Sequence, residues 1–298
     1  AVQAVSIWNI GIKTGAAQNM VALGFIEEKF DKTITWSEWF LYAAPFSIIM
    51  SIVLFFIMIK LIKPETDVIE GGKEVIAKQL AELGPLKGSE IRLIIISITL
   101  LFLWATEGAL HPFDTTTVTI IAIALLLAPK IGVYSWSEVE RLIPWGTIIV
   151  FSVGIALGSV LLNTQGAQWL SDTTFGTLGL DSMPLLATIA VVTLFNILIH
   201  LGFASATSLA SALIPVFIVL ASTITADGDQ QIGFVLIQQF VISFGFLLPI
   251  SAPQNMLAYG TGAFTTKDFL KSGIPLTIIA YILVMIFSAT YWQWIGLL

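Results

Sequence analysis

Ser251-Ala252-Pro253-Gln254-Asn255-Met256 interrupts an apolar stretch that enters at Gln231, and a near copy, Gly15-Ala16-Ala17-Gln18-Asn19-Met20, stands 236 residues earlier (Asn19 against Asn255). Each copy is followed by a short apolar half-helix and then by a polar stretch with an acidic residue and aromatics. These stretches are Trp36-Ser37-Glu38-Trp39-Phe40 and Lys267-Asp268-Phe269, each leading through a proline, Pro45 or Pro275, into a terminal span. Self-similarity at one spacing marks an internal repeat. A small, polar turn inside an apolar run marks a broken helix, because backbone leaves helix at membrane depth only where protein or a wet cavity receives its polar groups.

The composition agrees with a membrane setting. Of 298 residues, 57% are hydrophobic and 11% charged, against roughly 25% charged in an ordinary soluble domain. Apolar runs at 40–62, 91–104 and 274–291 approach or exceed the roughly 20 residues that cross a hydrocarbon core. The expected fold class is an all-α polytopic membrane protein, and a soluble enzyme is excluded. Cysteine is absent, which removes thiolate metal sites and cysteine nucleophiles, and the two histidines, His111 and His200, cannot build a histidine cage. No metal site is expected. A net charge of −6 argues against nucleic acid as a partner. No initiator methionine and no signal-peptide pattern is visible at residue 1, so the sequence is expected to start partway through a longer protein.

Cations orient the spans, since lysine and arginine gather at cytoplasmic ends. Lys60, Lys63, Lys73, Lys78, Lys87 and Arg92 place 63–90 inside, the cation-free 108–114 lies outside, and Lys130 and Arg141 return the chain inside. Residues 134–145 carry Trp136, Val139, Leu142 and Ile143 against Glu138, Glu140 and Arg141, the pattern of a short interfacial helix that could serve as an arm. A glycine-bearing run from Gly146 to about Leu170 ends outside near Asp172 and Asp181. The segment 183–225 starts and ends outside. Its middle, His200-Leu201-Gly202-Phe203-Ala204-Ser205-Ala206-Thr207-Ser208, favours a re-entrant hairpin with its tip at 205–207 over two full spans. Lys267 and Lys271 bring the second broken helix inside. The two copies therefore have opposite orientation. Inverted repeats with paired broken helices point to a secondary transporter whose substrate binds where the breaks meet. If the first repeat matches the second in length, roughly 150 residues carrying a first hairpin precede residue 1.

At these residues the chain resembles the divalent-anion:sodium symporter family, the Indy-type carriers of di- and tricarboxylates. That family is similar in having two hairpins with Ser-Asn-Thr tips and two broken helices with Gly-Thr-Pro-Pro-Asn or Ala-Thr-Pro-Pro-Asn turns. The hairpin tip corresponds here to Ser205-Ala206-Thr207, which keeps serine and threonine and loses asparagine. The turns correspond to Ser251-Ala252-Pro253-Gln254-Asn255, which keeps one proline and the asparagine, and to Gly15-Ala16-Ala17-Gln18-Asn19, which keeps glycine and asparagine. The resemblance covers essentially the whole chain. It implies an elevator in which hairpin and broken helices move against a dimerising scaffold, in a multi-pass protein of the cell membrane. On this reading 1–62 closes the transport part of the first repeat and 63–90 is a cytoplasmic connector. Residues 91–182 hold scaffold spans and the arm, and 183–298 is the transport part of the second repeat.

The expected substrates are C4 and C5 dicarboxylates such as succinate, malate, fumarate or 2-oxoglutarate, in a homodimer with no cofactor beyond sodium if sodium drives transport. Unwound backbone frees carbonyls for a hard cation and N–H groups for carboxylates. Ser205 and Thr207 would donate to one carboxylate beside Ala206, although both could instead serve close helix packing. Asn19 and Asn255 would brace the turns or touch substrate, with Gly15 and Ala252 beside them, and Pro253 would pack on the carbon chain. Lys13 and His200 sit at membrane depth beside the positions where the family would hold cations, and an ionisable group there is a functional hypothesis by default. Fixed positive groups in place of sodium would make a sodium-independent exchanger; the alternative is sodium symport through backbone carbonyls. For Lys13 the structural alternative is snorkelling or an ion pair, and for His200 a core histidine that ties the hairpin. Glu107, His111 and Asp114 are read as solvated loop groups, and Gly154 and Gly158 as local helix packing. Gln18, Gln238, Gln239 and Asn196 line a route or bond across helices. A hydrolase would rest on Ser205 with His200 and lacks an acid at the same depth; a channel leaves the paired breaks unexplained.

Overall fold

The computed structural model describes residues 1–62 and 71–298, so Lys63 and the first part of the expected connector lie outside the described residues. The helices are α1 Val2–Gly11, α2 Ala17–Phe30, α3 Trp36–Leu61, α4 Gly72–Leu83, α5 Gly88–Ala105, α6 Thr115–Leu127, α7 Trp136–Val139 and α8 Trp145–Asn163. They continue as α9 Gly166–Phe175, α10 Leu185–His200, α11 Ala206–Ile224, α12 Gly228–Ile242, α13 Pro253–Gly260, α14 Thr266–Ala289 and α15 Tyr291–Trp294. Five stretches among the described residues are long and apolar enough to cross a membrane: α3, α5, α8, α11 and Thr266–Trp294. The all-α polytopic class read from the sequence is what the chain adopts.

The helices fall into two compact units. The first comprises Ala1–Ile34, Glu38–Leu61 and Trp145–Leu298. Its core is built on α11 and α12, whose residues are buried on almost every face, as expected of helices surrounded by other helices. Polar side chains tie this core where apolar contact alone would leave its register loose. Asn196 Nδ2 donates to the Gln238 carbonyl at 2.9 Å and Gln238 Nε2 to Thr193 Oγ1 at 3.2 Å, locking α10 to α12. Trp39 Nε1 donates to Ile10 O at 2.9 Å and Ser47 Oγ to Ile7 O at 2.9 Å, fixing α3 on α1. Phe46, Phe287 and Trp292 pack ring on ring between α3 and the end of α14. Glycine sets the approach of α8: a methyl at Gly154 would meet the Ser211 side chain on α11, and one at Gly158 would strike the Phe25 ring on α2. The Gly-x-x-x-Gly pattern is therefore used within the unit.

The second unit comprises Thr35–Ser37 and Ile62–Pro144. Here Glu107 is buried at 6% exposure rather than solvated. Its carboxylate accepts from Thr115 N at 3.0 Å, Thr115 Oγ1 at 2.7 Å and Trp36 N at 2.8 Å, satisfying first-turn amides of two helices at once. His111 is likewise committed, with Nε2 2.9 Å from Leu103 O. Asp114 caps α6 by accepting from Thr117 N at 2.8 Å and Thr117 Oγ1 at 2.7 Å, and those bonds hold its carboxyl below the usual carboxylate range. Ahead of α8, helix in the 134–145 stretch is confined to α7, where Ser135 and Glu138 form a capping box. The apolar run after Gly146 is also shorter than its composition suggests. Gln165, at φ 61°, ends α8 and starts α9.

Candidate functional site

The two broken helices have one backbone. After α1, Ile12 is extended at φ −121° and ψ 121°, Lys13–Gly15 form a 3-10 turn, and Ala16 is extended at φ −151° and ψ 145° before α2 begins. Before α13, Leu248 is extended at φ −125° and ψ 140°, Pro249–Ser251 form a 3-10 turn, and Ala252 is extended at φ −153° and ψ 146°. Each 3-10 turn closes through one bond, Gly15 N to Ile12 O at 2.9 Å and Ser251 N to Leu248 O at 3.1 Å. In sequence the repeat rested on six residues; in space it extends to the dihedral angles.

The asparagines hold both turns from beneath. Asn255 Nδ2 donates to Gly245 O at 2.8 Å. Asn19 Nδ2 donates to Asn9 O at 2.7 Å, the same ten residues back, and also reaches Ile12 O at 3.1 Å and Lys13 O at 3.3 Å. Both asparagines are fully buried. The glutamines next to them reach across to the other repeat: Gln18 Nε2 donates to Ser243 Oγ at 3.2 Å, and Gln254 Nε2 to Ser6 Oγ at 3.0 Å. One shell further out, Gln239 Nε2 donates to Asn19 Oδ1 at 3.1 Å, while Gln3 Nε2 donates to Phe246 O at 3.3 Å. A pseudo-two-fold exchange of bonds thus fastens each turn to the opposite repeat.

Between the turns lies a cavity of about 480 Å³. Gly15, Ala16, Ala17 and Gln18 line it from the first turn, Ala252, Pro253 and Gln254 from the second, and Ser205, Ala206 and Thr207 from the start of α11. The structure thus brings together Gly15, Ser205, Ala206, Thr207, Ala252 and Pro253 at the cavity wall. Asn19 and Asn255 stand behind it. The hairpin chain reverses through 201–205, so that Ser205 is the N-cap of α11, its Oγ accepting from Ser208 N at 3.3 Å, and Ala206 and Thr207 already belong to the helix. That puts the N-termini of α2, α11 and α13 at one cavity. Ala16 and Ala252 cap α2 and α13 without a side-chain bond; Pro253 has no N–H and Asn19 N and Asn255 N bond back to Ala16 O and Ala252 O, which leaves the N–H groups of Ala17, Gln18 and Gln254 to a ligand. Helix N-termini present amide donors and positive dipole ends, which suits carboxylate oxygens.

Two ionisable groups lie in the walls and not on the surface of the cavity. Lys13, 4% exposed, is in the first 3-10 turn. His200, also 4% exposed, closes α10 and bonds with the Ser251 backbone of the second turn. The Nε2 atom of His200 has no hydrogen-bond partner among the described residues, and neither has Asn255 Oδ1. No group of three or more histidine, cysteine, aspartate or glutamate side chains able to hold a metal occurs among the described residues. Because Ser205 Oγ accepts from its own helix and His200 engages Ser251, the two do not form a nucleophile and base.

Sequence reasoning missed one wall entirely. Gly146, Thr147, Val150 and Phe151 at the start of α8 line the cavity, and nothing local in an apolar helix announces which face meets a ligand. It also left open what Gln18 does. The matching glutamine in both turns was the available signal.

A family model described as the sodium:sulfate symporter transmembrane region matches residues 1–298. A protein of Cupriavidus necator named only as a membrane protein is 47% identical over 99% of this chain and 57% of its own length. A sodium-dependent dicarboxylate transporter of Staphylococcus saprophyticus is 24% identical over 94% of this chain and 56% of its own length. An L-tartrate/succinate antiporter of Escherichia coli is 26% identical over 96% of this chain and 57% of its own length. The chain spans a little over half the length of these curated relatives, and the family and functional names among them are those of transporters, not enzymes.

Proposed function

Because this chain belongs to the sodium:sulfate symporter family, the divalent-anion:sodium symporters, we propose that the full-length protein is a cell-membrane carrier of C4 and C5 dicarboxylates that exchanges them without sodium. The observation that carries this reading is the cavity between the inverted turns, where three helix N-termini and the Ser205 and Thr207 side chains meet. Its volume of about 480 Å³ lies in the range of small-ligand pockets. The substrate class follows the relatives, two of which are dicarboxylate carriers by name.

Those two relatives differ in coupling, one sodium-dependent and one an antiporter by name. Lys13, buried at the first turn, favours exchange. A positive charge beside the cavity attracts a dianion, so the carrier crosses loaded more readily than empty, and return without cargo is slow. Movement is by an elevator within a homodimer, as the family resemblance implies. Sodium symport is the second reading, supported by the carbonyls that both breaks release.

The test is uptake of labelled succinate by the full-length protein in liposomes, with and without external sodium and with and without internal dicarboxylate. Uptake that requires internal dicarboxylate and ignores sodium is expected. Sodium-driven uptake into empty vesicles would replace exchange by symport.

A further inference from the structure

Gln18 and Gln254 occupy matched positions in the two repeats, each directly before the bracing asparagine, and both line the cavity. Each amide nitrogen is already engaged, Gln18 Nε2 on Ser243 Oγ at 3.2 Å and Gln254 Nε2 on Ser6 Oγ at 3.0 Å. The serines are buried, at 4% and 0% exposure, so these bonds anchor the amides from behind. What a glutamine anchored by its nitrogen offers is its carbonyl oxygen, an acceptor. No hydrogen bond to either Oε1 is found among the described residues. Two acceptors in a cavity otherwise furnished with N–H and O–H donors are poorly matched to carboxylate oxygens, which they repel. They match a donor on the carbon chain between the carboxylates.

We propose that Gln18 and Gln254 select for hydroxylated C4 dicarboxylates, the 2-hydroxy and 2,3-dihydroxy acids, over chains without a hydroxyl. This rests on the dicarboxylate reading and adds the substituent that the site prefers. One acceptor per repeat means that a single hydroxyl can be met in either direction of the substrate, and two hydroxyls can be met at once. A buried acceptor left unpaired by an unsubstituted chain is the source of discrimination, as in sites built around a substrate hydroxyl.

The experiment uses the full-length protein in liposomes, carrying labelled malate and labelled succinate, with unlabelled malate, L-tartrate and succinate as competitors. Wild type is expected to take malate and tartrate about tenfold better than succinate, the discrimination one net hydrogen bond supplies. The double variant Gln18→Leu/Gln254→Leu should bring the malate-to-succinate ratio close to one by lowering malate uptake more than succinate uptake. Ser6→Ala removes the anchor of Gln254 and keeps both carbonyls, and should retain at least half of the preference. Equal losses for both substrates in the double variant would make the two residues structural latches and overturn the proposal. So would an unselective wild type, or a Ser6→Ala variant as unselective as the double variant. If no dicarboxylate is carried or competes, the dicarboxylate reading falls and takes this inference with it; equal handling of malate and succinate defeats this inference alone.

Discussion

The break at 12–16 and the break at 248–252 share their dihedral angles, their closing bond and their bracing asparagine, yet they differ in what they bury. The first carries its own cation, Lys13, where the spacing of 236 places Pro249 in the second. The second takes its ionisable group from outside, through His200 at the end of α10 against Ser251. The first turn leads into fourteen residues of helix and is held by three bonds from Asn19; the second leads into eight and is held by one from Asn255. The shape of the turn is therefore specified by few positions. The ionisable group beside it is free to come from a different element in each repeat.

The largest expected effect contrasts the two braces. Asn19→Ala removes the two amide hydrogens shared among three carbonyls and the acceptor of Gln239 Nε2, and should cost about 3 kcal/mol, against about 1 kcal/mol for Asn255→Ala, at roughly 1 kcal/mol per net bond. Thermal unfolding of the purified protein, with dicarboxylate uptake alongside, reads the difference. Equal losses would mean that the additional bonds at the first turn contribute nothing.

Next in size is the packing beneath the second turn. A methyl at Gly273 would collide with the Phe246 carbonyl, whereas the position two residues before the matching proline in α3 already holds a buried alanine, Ala43. Gly273→Ala should cost about 2 kcal/mol by overpacking and lower the unfolding temperature. Ala43→Gly should cost only about 1 kcal/mol through helix propensity. A harmless Gly273→Ala would show that the second turn rests on its following helix no more tightly than the first.

The smallest lies outside both turns and serves as a control. Asp114→Ala removes a cap on an exposed loop and should cost about 0.5 kcal/mol, below the usual cap value because the carboxylate is largely solvated. The Thr117 bonds hold the Asp114 carboxyl below its ordinary value, so its contribution is present above the ordinary carboxylate pKa and is lost as pH falls through the depressed one. Unfolding midpoints of wild type and variant should therefore differ at neutral pH and converge in strong acid, with transport unaffected at neutral pH.

The repeat was legible because its signals are local. Small residues, a glutamine and an asparagine at one spacing announce a break in an apolar run. The cavity-lining residues Gly15, Ser205, Thr207 and Pro253 were legible for the same reason. What escaped depends on contacts between distant segments. The wall at Gly146 and Phe151 is set by how α8 packs, and the exchange of Gln18 and Gln254 with Ser243 and Ser6 crosses more than two hundred residues. Glu107 looked like a loop carboxylate, because sequence does not display that two helix starts converge on it.

The most direct measurement is succinate binding to the purified full-length protein in sodium and in choline buffer, for wild type and for Lys13→Gln. The account predicts the same affinity in both buffers for wild type and a loss of about tenfold or more in Lys13→Gln, the effect of removing one buried charge that favours a dianion. Wild-type binding that requires sodium, together with unchanged binding in Lys13→Gln, would contradict it.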